Sequence, residues 1–174
     1  MSMAVDIPEL DQPGHRGLLR TTWFPLVMSE SSLFLVIVLL AASNFASVQV
    51  APTEMKLPLL GLRCEAVQAV NQTLELQHGM SDALIGAIAK MASYEAMYGN
   101  LENYAVHMQG LQRAIKLRGG LSSLGLGGLL RRMVIWIDRN GAFLNGSPLY
   151  FPGEFFAPDQ PLPDPNPGHF LGAQ

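Results

Sequence analysis

The chain has 174 residues, of which 49% are hydrophobic and 14% are charged, so it fits one domain with enough apolar residues to fill a core. Eleven basic and fourteen acidic residues give a formal net charge of −3 without blocks of like charge, which argues against a nucleic-acid-binding surface. The single cysteine, Cys64, excludes both an internal disulfide framework and a cysteine-ligated zinc cluster.

The N-terminal segment, residues 1–24, mixes acidic residues, prolines and glycine without periodicity, which predicts irregular structure. The first helix is expected to begin at Ser29, whose hydroxyl can cap free backbone N–H groups, with Glu30 in its first turn. This helix contains the ten-residue apolar run Leu33–Ala42. Because it is apolar nearly all round, we expect it to lie deep in the core.

The same run, Leu33–Ala42, has an alternative interpretation as a membrane or secretory segment. A membrane-spanning helix needs roughly 20 apolar residues, so the run is short for that role. The residues in front of it, which include acidic residues and prolines, do not suit a signal peptide. A buried core helix is the favoured interpretation, and membrane association is the alternative.

Four further helices are predicted from apolar residues that recur three and four positions apart. They are 62–76, a helix from Ser81-Asp82 to Gly99, a helix capped by Asn100 and ending at Gly119, and 129–144. Lys116 and Arg118 suit the last turn of the fourth helix, and Gly119 suits a left-handed C-cap. No convincing alternating segment occurs, so the predicted fold is an all-α antiparallel bundle of about five helices, with residues 25–146 as the domain.

The C-terminal tail, residues 147–174, contains seven prolines between Pro148 and Pro167 and cannot continue a helix. We expect it to be extended or disordered. Its aromatic cluster, Tyr150–Phe156, is expected to tuck its rings against the bundle, with an exposed docking motif as the alternative.

Four short motifs in the second half of the chain occur in a characteristic order. They are Gly99-Asn100, His107 with Gly110-Leu111, Arg118-Gly119-Gly120, and Trp136 with Asp138. In this order the chain resembles the helical regulatory domain of fungal zinc-cluster transcription factors, and the resemblance implies a regulatory or partner-binding module. Full-length members of that family carry six cysteines as a binuclear zinc site, whereas this chain has one, so direct DNA recognition is not carried over.

The residues singled out for structure or interaction are His107, Arg118, Gly119, Gly120, Trp136 and Asp138. His107 lacks an evident catalytic partner, so a structural role is expected, and no catalytic, cofactor or metal site is predicted. The glycine pair is expected to serve backbone geometry, because no phosphate-loop pattern surrounds it. Arg118 and Asp138 are hypothesised to form a two-pronged ion pair between adjacent helices.

The predicted function is that of a non-enzymatic, transcription-regulator-like module that acts through protein contacts without binding DNA itself. The expected partner is a related full-length factor or a second copy, and the expected location is nuclear or cytoplasmic. Two alternatives remain: a membrane-associated or secreted protein anchored by Leu33–Ala42, and a small helical ligand-binding protein.

Overall fold

A computed structural model describes residues 6–48, 54–76, 79–157 and 160–170. Within these residues the chain forms six α-helices and no β-strand. The helices are α1 (Phe24–Ser29), α2 (Ser31–Val48), α3 (Lys56–Leu76), α4 (Asp82–Tyr98), α5 (Leu101–Arg118) and α6 (Leu129–Asn145). The all-α prediction is confirmed, and α1 is the helix that the sequence pattern did not indicate.

The starts of α4 and α5 follow the predicted caps. The Ser81 hydroxyl accepts a hydrogen bond from the backbone N–H of Leu84 at 3.2 Å, and the side-chain oxygen of Asn100 accepts one from Asn103 at 2.9 Å. Each bond satisfies one N–H group that has no partner inside its own helix.

Two predicted boundaries are wrong, both near α2. Ser29 ends α1 rather than starting α2, because its hydroxyl donates backward to the carbonyl of Leu26 at 2.9 Å. The third helix, α3, begins at Lys56, six residues before the predicted start, and contains Pro58 in its first turn. Proline is tolerated there because the first N–H groups of a helix need no intrahelical acceptor.

Helix α4 lies at the centre of the bundle, where residues 83–95 are all buried. It packs against α2, α3, α5 and α6. Small residues make this possible, since a side chain at Gly86 would lie within 2.8 Å of the Trp23 ring. The centre of the bundle is therefore an alanine-rich helix with one glycine, which lets its neighbours approach closely.

Helix α2 is buried on one side only, which corrects the prediction that it lies deep in the core. Leu33, Val36 and Leu39 are completely buried, whereas Phe34 and Phe45 remain 42% and 49% exposed. By length and composition alone α2 could also cross a membrane, a property that core helices of soluble proteins share. Its inner face belongs to the same core as α4.

The first and last segments that the structure describes pack onto the bundle and onto each other. Ile7 and Leu10 near the N-terminus are buried, as are Phe156 and Phe170 in the tail. The side-chain amide of Asn166 donates to Glu9 at 3.0 Å, which joins the tail to the N-terminal segment. Of the two expectations for the tail, extended or disordered, residues 147–157 and 160–170 follow the first, because helix side chains bind the tail backbone and Phe156 and Phe170 are buried in the core.

Candidate functional site

The Gly99-Asn100 motif closes over a buried carboxylate, that of Glu95. Its carboxylate accepts a hydrogen bond from the Arg63 guanidinium at 3.0 Å and one from the backbone N–H of Asn100 at 3.3 Å. A side chain at Gly99 would collide with this carboxylate, since its Cβ would lie 2.7 Å from Cδ of Glu95. Glycine is therefore needed at this turn so that Glu95 can reach the start of α5.

His107 lies near this ion pair, on α5, and is partly buried. Burial lowers its pKa, the nearby charge of Glu95 acts in the opposite direction, and the charge of Arg63 lowers it further. The hydrogen bond with Glu95 raises the pKa of Arg63. Arg63 and Glu95 thus form a charge pair that joins α3 to the end of α4.

The Arg118–Asp138 hypothesis is wrong, because each residue has a different partner. Arg118 Nη2 lies 2.9 Å from Asp82 Oδ1, and Nη1 donates to the Met80 carbonyl at 2.6 Å. Asp82 also accepts a backbone hydrogen bond from Gly125 at 3.3 Å. Arg118 therefore joins the end of α5 to the start of α4. Asp82 in turn connects the start of α4 to the loop that precedes α6.

Gly119 and Gly120 serve the backbone geometry of the turn after α5. Gly119 has φ 111° and Gly120 has φ 96°, both in the region that favours glycine. The N–H of Gly120 binds the Ile115 carbonyl at 2.8 Å, which satisfies a carbonyl at the end of the helix. The predicted left-handed C-cap at Gly119 is confirmed.

Asp138 fastens the C-terminal tail to α6. Its two carboxylate oxygens accept the backbone N–H groups of Tyr150 at 2.9 Å and Phe151 at 2.8 Å. Burial raises the pKa of the Asp138 carboxyl, and the two hydrogen bonds partly offset this rise. Trp136, two residues earlier, is 1% exposed and fills the core.

Four further polar side chains on α5 and α6 form hydrogen bonds with backbone groups along the length of the tail. Gln112 donates to the Tyr150 carbonyl at 2.6 Å, and Arg131 donates to the Phe155 carbonyl at 2.8 Å. Farther along the tail, Arg139 donates to the Pro163 carbonyl at 2.7 Å. The side-chain oxygen of Asn140 accepts a hydrogen bond from the backbone N–H of Asn166 at 2.9 Å. The tail is thereby held as a strap across the last two long helices, in a segment whose prolines prevent helix formation.

An open groove of about 590 Å³ lies between the Gly119-Gly120 turn and this strap. Ile115, Leu121 and Phe151 contribute its apolar lining, and Lys116 and Glu154 contribute opposite charges. The groove thus combines an apolar lining with one cationic and one anionic side chain. In the described part of the chain, no group of three or more His, Cys, Asp or Glu residues is arranged to hold a metal ion.

Sequence reasoning missed Arg63, Glu95 and Asp82, which are the actual charge partners around the motif residues. Glu95 is a charged residue in a largely apolar helix, a pattern that can indicate a buried pair, whereas Arg63 lies two residues from Glu65 in a mixed helix and gives no such signal. That signal does not identify the partner, because the two residues are 32 positions apart.

The chain matches the family model described as the fungal specific transcription factor domain, over residues 11–169. No curated protein matches the chain, and no solved structure does. The matched region extends from the N-terminal segment through all six helices to the tail. It covers far more than half of the chain, and the chain therefore belongs to the fungal specific transcription factor domain family.

Proposed function

We propose that this chain is a non-enzymatic nuclear module that regulates transcription by binding other proteins and does not contact DNA itself. The observation that carries the proposal is the match to a transcription factor domain over residues 11–169. The family relationship supports a regulatory role in transcription, and the mode of action is the part that we propose.

The structural roles of the motif residues favour a scaffold over an active site. Gly99 makes room for a buried ion pair, Arg118 joins two helices, and Asp138 binds the tail. The exposed groove beside Lys116 and Glu154 and the exposed face of α2 are then the surfaces on which a partner can act.

The charge of the chain favours protein contacts over DNA contacts. A net charge of −3, with no run of basic residues, opposes binding to a phosphate backbone. In this proposal a partner supplies the DNA binding, and a related full-length factor fits that role.

A tethering experiment tests the regulatory role. The full chain is fused to an unrelated DNA-binding domain in a fungal cell that carries a reporter gene with the matching site. We expect reporter expression to change several-fold relative to the DNA-binding domain alone, with both proteins at equal amounts in the nucleus. Unchanged expression would contradict the proposal.

A gel-shift measurement with mixed-sequence DNA tests the second part. Non-specific binders have dissociation constants of roughly 10⁻⁴–10⁻⁶ M at physiological salt. We expect this chain to bind no more tightly than that, and submicromolar binding by the chain alone would refute a purely protein-based mechanism.

A further inference from the structure

The outer face of α2 carries a continuous apolar stripe that nothing in the described chain covers. Its residues follow one another at steps of four, three, four and three, the spacing of a helix-pairing face. They are Phe34, Val38, Ala41, Phe45 and Val48. Phe34, Phe45 and Val48 are 42%, 49% and 72% exposed, and this face lies opposite the buried Leu33, Val36, Leu40 and Ser43.

We propose that this stripe is a homodimer interface, in which α2 of one copy packs antiparallel against α2 of a second copy about a twofold axis at Ala41. This dimer is one specific protein contact of the kind that the proposed function requires, and the inference rests on that function. It does not require the reporter activity to depend on that contact.

The pattern of side-chain sizes along the stripe is self-complementary. With antiparallel helices centred on Ala41, Phe34 of one copy lies opposite Val48 of the other, and Val38 lies beside Phe45. Large side chains then meet smaller ones, and the two alanines at the centre allow close approach of the backbones. A parallel pair would place phenylalanine against phenylalanine at two levels and would leave small residues facing each other between them.

The absence of charge on this part of the chain also favours a second copy. No Asp, Glu, Lys or Arg occurs between Glu30 and Glu54. The stripe therefore offers no charge for a differently charged partner to recognise, and two copies can bury it without desolvating an ion.

The amount of exposed apolar surface is sufficient for a small interface. Leu57 and Leu60 at the start of α3, the helix that packs against α2, are 80% and 55% exposed, and we include them in the proposed interface. If a large apolar side chain offers about 150–250 Å², the exposed parts of these five side chains, those of Phe34, Phe45, Val48, Leu57 and Leu60, amount to about 500 Å² per copy. Two copies reach about 1,000 Å², where specific interfaces begin.

A lipid surface is a poorer occupant of the same stripe. The inner face of α2 is buried against the bundle, so α2 does not span a bilayer in this fold. Helices that lie on membranes usually have Lys and Arg on their polar side, whereas the charges that flank α2 are the acidic Glu30 and Glu54.

Light scattering coupled to size-exclusion chromatography of the full chain, over a wide range of protein concentrations, provides the first test. We expect a mass twice the 18.9 kDa of one chain at high concentration. Ala41→Trp should raise the dimer dissociation constant roughly tenfold or more, because it separates the two helices at their closest point. Val106→Trp, at an exposed position on α5, is the control and should leave the dimer unchanged.

Cysteine cross-linking tests the geometry, in a Cys64→Ser background that removes the native thiol. Ala41→Cys should form a dimer under mild oxidation, because residues at the twofold axis lie within reach of a disulfide. Phe34→Cys alone should not, whereas a mixture of Phe34→Cys and Val48→Cys chains should. Efficient cross-linking of Phe34→Cys with itself would overturn the antiparallel arrangement.

A monomer at every concentration would overturn the proposal, as would a chain that associates only with phospholipid vesicles. The tethered reporter distinguishes this failure from failure of the proposed function. If the chain is monomeric but still changes reporter expression, the dimer inference is wrong and the regulatory role stands.

Discussion

Asp138 contributes to stability through its two hydrogen bonds to the tail backbone, at Tyr150 and Phe151. An isolated buried carboxylate would be costly, and two N–H donors reduce that cost. The residue is therefore a link between α6 and the tail rather than one half of an ion pair with Arg118.

Asp138→Asn should lower the free energy of unfolding by about 1–3 kcal/mol. The amide keeps one acceptor oxygen but turns an NH₂ group toward the second backbone N–H, which leaves a buried donor without an acceptor. Chemical denaturation measures the change. Asp164→Asn, at a fully exposed carboxylate, is the control, and equal effects of the two substitutions would contradict the assigned role.

Lys90 on α4 is buried, and burial lowers its pKa to about 8 from the usual 10.5. Between these two values the folded protein has released a proton that the unfolded chain still holds. The free energy of unfolding therefore rises as the pH increases from about 8 towards 10, and the full cost of burying the charge is present below pH 8.

Lys90→Met should remove this pH dependence and raise the free energy of unfolding at pH 7 by up to about 3 kcal/mol. Methionine keeps the length of the side chain without its charge. Urea denaturation at pH 7 and pH 9.5 measures both effects. Lys116→Met, at an exposed lysine, should leave the pH dependence of the parent chain in place; a parent chain with no rise above pH 8 would refute the prediction.

Glycines set the distance between helices at two crossings. Gly86 on α4 faces the ring of Trp23, and Gly141 on α6 faces the ring of Tyr104 on α5. An added Cβ at Gly141 would lie 2.6 Å from Cζ of Tyr104, and Tyr104 is completely buried. The ring has no room to move away without disturbing the core.

Gly141→Ala should therefore destabilise the protein by about 1–3 kcal/mol through overpacking. Gly110→Ala is a matched substitution in a helix, where the new methyl group meets nothing within 4 Å. That variant should gain about 0.5–1 kcal/mol from reduced backbone entropy in the unfolded chain. Thermal unfolding of both variants should show shifts of opposite sign, and a stabilised Gly141→Ala variant would exclude the close approach.

Helix α2 shows how the environment of an element depends on its neighbours. Its sequence predicts a helix that is apolar nearly all round, and a long apolar helix was observed. The residues do not indicate which side faces the bundle, because almost every side is hydrophobic. Only packing against its neighbours distinguishes Leu33, which is buried, from Phe34, which is exposed.

The fold depends on the described segments before and after the helices as well as on the helices themselves. Phe170, near the C-terminus, is completely buried in the same core as Leu10. Arg132 on α6 donates to the Leu10 carbonyl at 3.1 Å, and Asn140 on the same helix binds the tail. Both segments are thus held on one helix, and we expect them to unfold together with it as one cooperative unit.

Phe170→Ala should lower the free energy of unfolding by about 3–5 kcal/mol, the cost of a cavity at a buried phenylalanine. Phe155→Ala, at a side chain that is 72% exposed in the same tail, should change it by less than about 0.5 kcal/mol. Guanidinium denaturation followed by circular dichroism compares them. If the tail could detach from the bundle without a free-energy cost, both variants would show the same change in the free energy of unfolding, and the prediction would be wrong.

The amino-acid sequence by itself determined the helical class, the starts of α4 and α5, and the glycine cap after Arg118. These features depend on local chemistry: apolar spacing, a side-chain acceptor next to free N–H groups, and a glycine that accepts positive φ. The order of the motifs also identified the family, which the match over residues 11–169 confirms.

Tertiary structure alone decided which charged residues pair and how the tail packs against the helices. Arg118 lies 36 positions from Asp82, and Asp138 binds the backbone of the tail, so neither pairing follows from a local spacing. The prolines correctly predict that the described tail residues form no α-helix, yet only the helix faces against which the tail packs determine that Phe156 and Phe170 are buried. Local propensity acts over a few residues, whereas burial and charge pairing depend on residues that are distant along the chain and adjacent only in the fold.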